Sequence, residues 1–397
     1  VLSDMEIEGV GIDVDFLNNY SKELAIEIKA TEEKVHAAAG VPFNLASPKQ
    51  LGEVLFDIMK LDPSAKKTKT GQYATGEDVL LKLQHKHEIV DAILIHRELS
   101  KLKNTYVDAL PLLIHPVSKR LHTSFNQAVA VTGRLSSNNP NLQNIPIRTE
   151  RGREIRKAFV SRNADWCIVS ADYSQIELRI IAALSGDASM IQAFKEQKDI
   201  HIATAAKVYG VEEAAVTKDM RRNAKAVNFG IIYGQSAFGL AENLGISRTE
   251  AKTIIENYFA QYPAIKTYMD ANVQFAKQHG YVATILGRKR WLADINSSNQ
   301  TVRGFAERNA INAPIQGSAA DMIKLAMIEV DKQLRAQQLK SKMVLQVHDE
   351  LVFDAPKEEV DTLKTLITQA MSAAMLLPNE VPVLVETGVG NNWLEAH

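Results

Sequence analysis

Two apolar stretches far apart in the chain constrain its architecture most. "CIVSA" (167–171) reads as a buried strand that ends at Asp172, with a helix starting directly after it. "VLQVHDELVF" (344–353) holds two apolar strand halves around His348-Asp349, the pattern of a tight hairpin whose turn presents Asp349 and Glu350 at a sheet edge. Most of the remaining chain reads as helix. The strands that matter therefore come together from distant segments, and the fold class is α+β, with helical insertions around a central sheet.

The coarse reading fills in the rest. Residues 16–108 read as helical, with Ser47-Pro48 as N-cap and first helical residue of "KQLGEVLFDIMKL" and a Lys/Thr/Gly-rich loop at 64–77. Residues 109–172 carry short strand-like pieces and the turn-rich "GRLSSNNPNLQNIP"; 186–300 is again mainly helical, with Ser247-x-x-Glu250 as a capping box. A helix is expected from Ser318, another after Pro356, and a last strand at "VPVLVE" (381–386). With 46% hydrophobic and 23% charged residues the chain can build a large core, and Cys167, its single cysteine, excludes an intrachain disulfide. A reducing, non-secreted setting is expected, and the start at Val1 without methionine fits a fragment or processed product.

A net charge of −1 argues against binding polyanions through bulk charge, yet the positive charge is clustered. It gathers at Lys66, Lys67 and Lys69, along "RTERGREIRK" (148–157), at Arg221, Arg222 and Lys225, and in "GRKR" (287–290). Any one cluster alone reads more simply as a solvated surface.

Wound as a helix, "RRNAKAVNFGIIYG" (221–234) sets Arg221, Lys225, Phe229 and Tyr233 one turn apart on one face, with Met220, Ala224, Val227 and Ile231 opposite. Two cations followed by two rings suit a triphosphate, a sugar and a base, although a mixed amphipathic surface would look the same. If the strands ending at Asp172 and flanking Asp349 are neighbours, the two carboxylates face one another and repel unless a cation lies between them. Hard oxygen ligands with open positions suit Mg²⁺ bound jointly with substrate phosphates, as two-metal phosphoryl transfer requires. Taken singly, each residue has a plainer role. Asp172 would end a strand, Asp349 and His348 would be turn residues, Cys167 would be a core residue, and Glu177, three after Ser174, would complete a capping box.

"DYSQIELR" (172–179), "RRNAKAVNFGIIYG" (221–234) and "VHDE" (347–350), in that order, resemble motifs A, B and C of the family A DNA polymerases, the bacterial DNA polymerase I type. "TGRLSSNNPNLQNIPIR" (132–148), "DIH" (199–201), "NAPIQGSAAD" (312–321) and "NNWLEAH" (391–397) extend the resemblance over essentially the whole chain. It implies a right-hand fold: residues 1–15 the start of the polymerase region at the palm edge, 16–108 the thumb, 109–190 and 301–397 the palm, 191–300 the fingers with a mobile helix at 219–233.

The resemblance also implies roles. Asp172, Asp349 and the Tyr173 carbonyl would hold two Mg²⁺ ions, with Mn²⁺ as a substitute and Glu350 in support. Arg221, Lys225, His201 and Gln175 would contact dNTP phosphates, Phe229 the sugar and Tyr233 the nascent pair, while Glu177 would exclude a ribose 2′-hydroxyl. Arg134, Arg148, Arg308, Asn312, Gln316 and His348, with Lys66, Lys67 and Lys69 on the thumb loop, would face the DNA. Phe229, where some relatives carry Tyr, implies poor use of dideoxynucleotides. The implied function is template-directed addition of dNTPs to a primer 3′-hydroxyl by a monomer away from membranes, in the cytoplasm with the nucleoid or in an organelle. A single-subunit RNA polymerase shares the palm carboxylates and is opposed by Glu177; a silent DNA-binding module is opposed by the intact Asp172, Asp349 and Lys225.

Overall fold

A computed structural model of the chain describes residues 1–84, 86–147 and 149–397. Its centre is an antiparallel sheet of strands β1 (Trp166–Tyr173), β2 (Lys342–Val347), β3 (Glu350–Pro356) and β4 (Val385–Gly390), in the spatial order β4-β1-β3-β2. Both faces of β1 are covered, which is why its sequence is an apolar run rather than an alternation. Cys167, Val169, Ala171 and Tyr173 face one core with Leu351, Phe353 and Ala355. Ile168 faces a second core with Val344, Val352, Leu17, Leu99 and Trp393. Period 2 then puts Ser170 and Asp172 on the face of Ile168, and the register sets Asp172 directly opposite Glu350.

Helices α1 (Val14–Ala39) and α2 (Glu88–Leu102) pair into an arm with its own distal core, including Val35, Leu51, Leu55, Leu80 and Ile93. Helix α3 (Ile176–Ser185) follows β1 at once, α4 (Lys218–Ile232) packs on the Ile200–Tyr209 helix, and α5 (Gln300–Ala336) and α6 (Val360–Ala373) lie against the first core. No helix among the described residues is long and apolar enough to cross a membrane.

The Ser47-Pro48 start forms as expected, Ser47 accepting from the Gln50 N–H, but regular α-helix gives way to wider π-type turns over Glu53–Ile58. In the expected loop 64–77, Lys67 and Tyr73 pair as an isolated bridge. Three expectations fail. The helix assigned from Ser318 begins at Gln300 and runs through Pro314; the buried surroundings of Ala310 to Ile315 hold the helix across that missing donor, and Ser318 Oγ donates to the Pro314 carbonyl at 2.6 Å. The last strand is not "VPVLVE" but Val385–Gly390, because Pro382 has no N–H for a ladder and its carbonyl accepts from Arg179 at 2.7 Å. The stretch 186–300 is mainly helical as expected, and it also contains a hairpin, Tyr281–Ala283 with Lys289–Trp291. Finally, Ser174 does not cap α3. The N-cap is Gln175 in a left-handed conformation (φ 55°) without a side-chain cap, and Glu177 is spent elsewhere.

The strand that carries the hairpin turn is pinned by a fully buried charge. Asp354 in β3 accepts from Arg120 Nη2 at 2.9 Å and Arg162 Nε at 3.1 Å. Asp354→Ala should lower stability to chemical unfolding by about 1.5–3 kcal/mol, since it removes the buried acceptor that two guanidinium groups share and leaves them Glu8 as their remaining carboxylate. Lys252→Ala, which removes an exposed pair with Glu256, should cost under about 1 kcal/mol. Equal losses would refute the pinning.

Candidate active site

The β2–β3 turn is built from His348, held at φ 56°, and Asp349. Gln346 Nε2 donates to the His348 carbonyl at 2.6 Å, and Gln143 Nε2 donates to Gln346 Oε1 at 2.9 Å, so two amide side chains brace the turn from beneath. Tyr173 donates its N–H to the Asp349 carbonyl at 3.2 Å. In an extended strand the N–H and C=O of one residue point to the same side, so the Tyr173 carbonyl also faces the turn.

Asp172 and Asp349 line one cleft of about 600 Å³ together with Arg134, Gln175, Glu177, His201, Arg221, Lys225, Phe229, Tyr233 and His348. Burial, then the neighbouring charges of Asp349 and Glu350, push the Asp172 carboxyl up to about 7. Burial, then Glu177, pushes Asp349 up to about 6 against the pull of Arg134. Among the described residues neither carboxylate has a cation within 4 Å or a side-chain hydrogen-bond partner.

Of the other acids nearby, Glu386 on β4 lies opposite Asp172 and is exposed, while Glu350 and Glu177 are fully engaged. Glu350 points away from the cleft into the second core, where its carboxylate accepts from Ser170 Oγ (2.6 Å), Trp393 Nε1 (2.8 Å) and His397 Nδ1 (3.3 Å). Arg156 stacks on the Trp393 ring at 4.0 Å and lies 3.6 Å from the same carboxylate. Burial alone would raise the Glu350 carboxyl, but these donors, His397 first, bring it below its ordinary value. Glu177, also buried, accepts from Arg134 Nη2 and from the Tyr233 hydroxyl, each at 2.7 Å.

One wall of the cleft is α4. Thr217 caps it by accepting from the Met220 N–H, and Ala224, Val227 and Ile231 bury its apolar side. Lys225 on the cleft side is exposed and, among the described residues, has no carboxylate within 4 Å. Arg221 is paired with Asp199 at 2.7 Å. Burial, reinforced by Lys225 and Arg221 against Asp199, pushes His201 down to about 4, so the ring is neutral. With the Asn228 amide donating to its Nδ1 at 3.0 Å, the proton sits on Nε2. The rings of His201, Phe229 and Tyr233 follow one another at 5.9 and 6.4 Å.

Of the remaining sequence candidates, Asn312 on α5 donates to the Tyr233 carbonyl at 3.4 Å, and Arg308 on the same helix packs on Gly234. Gln316 lies on α5 one turn beyond Asn312. Lys66, Lys67 and Lys69 sit on the helical arm outside the cleft, Lys67 lying over the Tyr73 ring at 4.6 Å. Arg148 lies outside the described residues. Sequence reasoning assigned no individual role to Gln143, Arg156, Ser170, Gln346, Trp393 or His397, although Gln143, Trp393 and His397 lie in stretches that carry the resemblance and Arg156 lies in a cationic cluster.

Residues 14–395 match the model of DNA polymerase family A. The chain is 52% identical to DNA polymerase I of Bacillus subtilis (strain 168) and 52% identical to that of Geobacillus stearothermophilus, over 100% of this chain and 44% and 45% of those proteins. It is 49% identical to the thermostable DNA polymerase I of Thermus thermophilus, over 100% of this chain and 47% of that protein. It thus spans less than half the length of these curated relatives. A solved structure, the POL domain of Pol1 from M. smegmatis in complex with DNA primer-template and dNTP, superposes with a TM-score of 0.93 at 45% identity, covering 100% of this chain and 69% of that one. The expected α+β right-hand architecture is thereby established, and with it the conclusion that the chain belongs to DNA polymerase family A.

Proposed function

We propose that this chain extends a primer 3′-hydroxyl with dNTPs under the direction of a template and releases pyrophosphate. The observation that carries this reading is the pair of unpartnered acids, Asp172 and Asp349, in a cleft walled by Lys225, Arg221 and His201. Among the described residues no cluster of three or more His, Cys, Asp or Glu side chains is placed to hold a metal ion. The protein's own donors are two carboxylates and the Tyr173 carbonyl, a hard, incomplete oxygen set that fits divalent cations sharing their remaining positions with substrate phosphates. Asp172, Asp349 and Tyr173 would hold two Mg²⁺ ions, or Mn²⁺ in their place. Bound there, the metals supply activation of the attacking 3′-oxygen and neutralisation of the leaving pyrophosphate.

The chain's other residues bind and select. Lys225 grips the triphosphate, and Arg221 joins it by exchanging Asp199 for phosphate oxygen. His201 donates from Nε2, with Gln175 beside it, and Phe229 packs on the deoxyribose. Glu177 is immobilised by Arg134 and Tyr233, so it cannot swing aside for a 2′-hydroxyl. Tyr233 abuts the nascent pair. Arg134, Arg308, Asn312, Gln316 and His348 face the minor groove, whose acceptors are alike for every base pair and so report pair shape rather than sequence. Residues 16–108 act as thumb, with Lys66, Lys67 and Lys69 on the duplex, residues 191–300 as fingers, and the sheet as palm. The chain works as a monomer with chromosomal DNA, in the cytoplasm or an organelle.

Extension of a labelled primer–template with Mg²⁺ tests the reading. Asp349→Asn should reduce extension by about a thousandfold or more while leaving DNA binding intact, since it removes a group that acts in the transition state. Extension by Asp349→Asn at the unaltered rate would remove the metal site from the mechanism. Glu177→Ala should admit rNTPs at dNTP-like rates, and continued exclusion of rNTPs would show that selection lies elsewhere. Affinity for primer–template should fall steeply with salt through counterion release; a flat response would contradict the grip on the phosphates.

A further inference from the structure

The "GRKR" cluster (287–290) takes no part in the cleft. Its first arginine is consumed internally: Arg288 donates to Asp321 (3.0 Å) and to the carbonyls of Thr132 (2.8 Å) and Gly317 (3.0 Å). The fit is tight enough that a Cβ on Gly133 would lie 2.3 Å from the guanidinium carbon, and Gly133 has φ 81°. Arg288 thus anchors the Tyr281–Ala283/Lys289–Trp291 hairpin as a rigid element.

The hairpin's register pairs Tyr281 with Trp291, Val282 with Arg290 and Ala283 with Lys289. Val282 is buried in a core with Leu292, Ala306 and Ala310, so the opposite face carries Tyr281, Lys289 and Trp291. Trp291 is 68% exposed and Phe275, on the Pro263–His279 helix, 39%. Their rings join into one patch: Trp291 to Tyr281 at 5.1 Å, Tyr281 to Phe275 at 5.5 Å, Phe275 to His279 at 4.3 Å. Lys289 Nζ lies 4.3 Å from the Tyr281 ring centre and, among the described residues, has no carboxylate within 4 Å.

Water-exposed rings interleaved with an unneutralised cation match the needs of one partner chemistry, flat unpaired bases strung on phosphates. A duplex hides its base faces and would leave the rings unused. The anchor also runs to the carbonyls of Thr132 and Gly317, so the hairpin is fixed to the two chain segments that carry Arg134 and Gln316 among the proposed DNA contacts. We infer that this face is a stacking platform for single-stranded DNA and that it takes the unpaired template strand beyond the cleft. The template assignment rests on the polymerase reading; the platform does not.

Two measurements on the full chain test it. Titration with an oligothymidylate should quench tryptophan fluorescence, and Trp291→Phe should remove that quench. Primer–template affinity should be compared for a long unpaired template overhang and a single unpaired nucleotide. Trp291→Ala should weaken binding to the long overhang about tenfold and leave the short one unchanged, with Lys289→Glu, which keeps the rings, acting in the same direction. Absence of quenching, or equal effects on both substrates, would overturn the inference. So would a change in oligomeric state on Trp291→Ala, which would make the patch a contact between copies. Quenching without extension on any substrate would leave the platform standing and withdraw the polymerase reading.

Discussion

Five carboxylates gather at one end of the central sheet, Asp172, Asp349, Glu350, Glu177 and the exposed Glu386 of β4, and the fold ties down only two of them. Glu350 is tied down by Ser170, Trp393, His397 and Arg156, and Glu177 by Arg134 and Tyr233. Asp172 and Asp349 receive nothing comparable and sit well above the ordinary carboxylate range. Leaving buried like charges uncompensated costs several kcal/mol, which a structure tolerates where something outside the chain completes the site. Much of the surrounding architecture holds that arrangement in place: the β1–β3 register, the pinning of Asp354, and the amide braces under the turn.

The second requirement is a wall that brings positive charge to those acids without cancelling them. Helix α4 meets it by burying small and branched residues on one side, so that Lys225, Arg221 and the Phe229 and Tyr233 rings stand toward the cleft. His201 is kept neutral, and so adds a donor without adding charge. Arg221 already has a carboxylate partner in Asp199, so its engagement with a substrate is an exchange of partners rather than a new charge brought out of water.

Much of this was legible in the sequence because short-range periodicity encodes it. The apolar run ending at Asp172, the split run around His348-Asp349 and the faces of 221–234 each translate directly into local geometry. Misreadings arose where tertiary packing overrides a local rule. Pro314 sits inside a helix that its buried neighbours stabilise, and Ser174 with Glu177 has capping-box spacing while Glu177 is claimed by Arg134 and Tyr233 from distant segments. The clamp on Glu350 was unreadable for the same reason. Ser170, Trp393 and His397 meet only once the sheet and the last helical turn are assembled, and no local pattern announces a hydrogen bond across that separation.

The central claim is that Asp172 and Asp349 act as one cation site although neither is paired within the chain. The direct measurement is Mn²⁺ binding, followed by electron paramagnetic resonance, to the unaltered chain and to Asp172→Asn and Asp349→Asn, each with primer–template and a non-hydrolysable dNTP. Loss of the tight Mn²⁺ signal in both variants, with folding and DNA binding retained, is the predicted result. Tight Mn²⁺ binding that survives either substitution would contradict it.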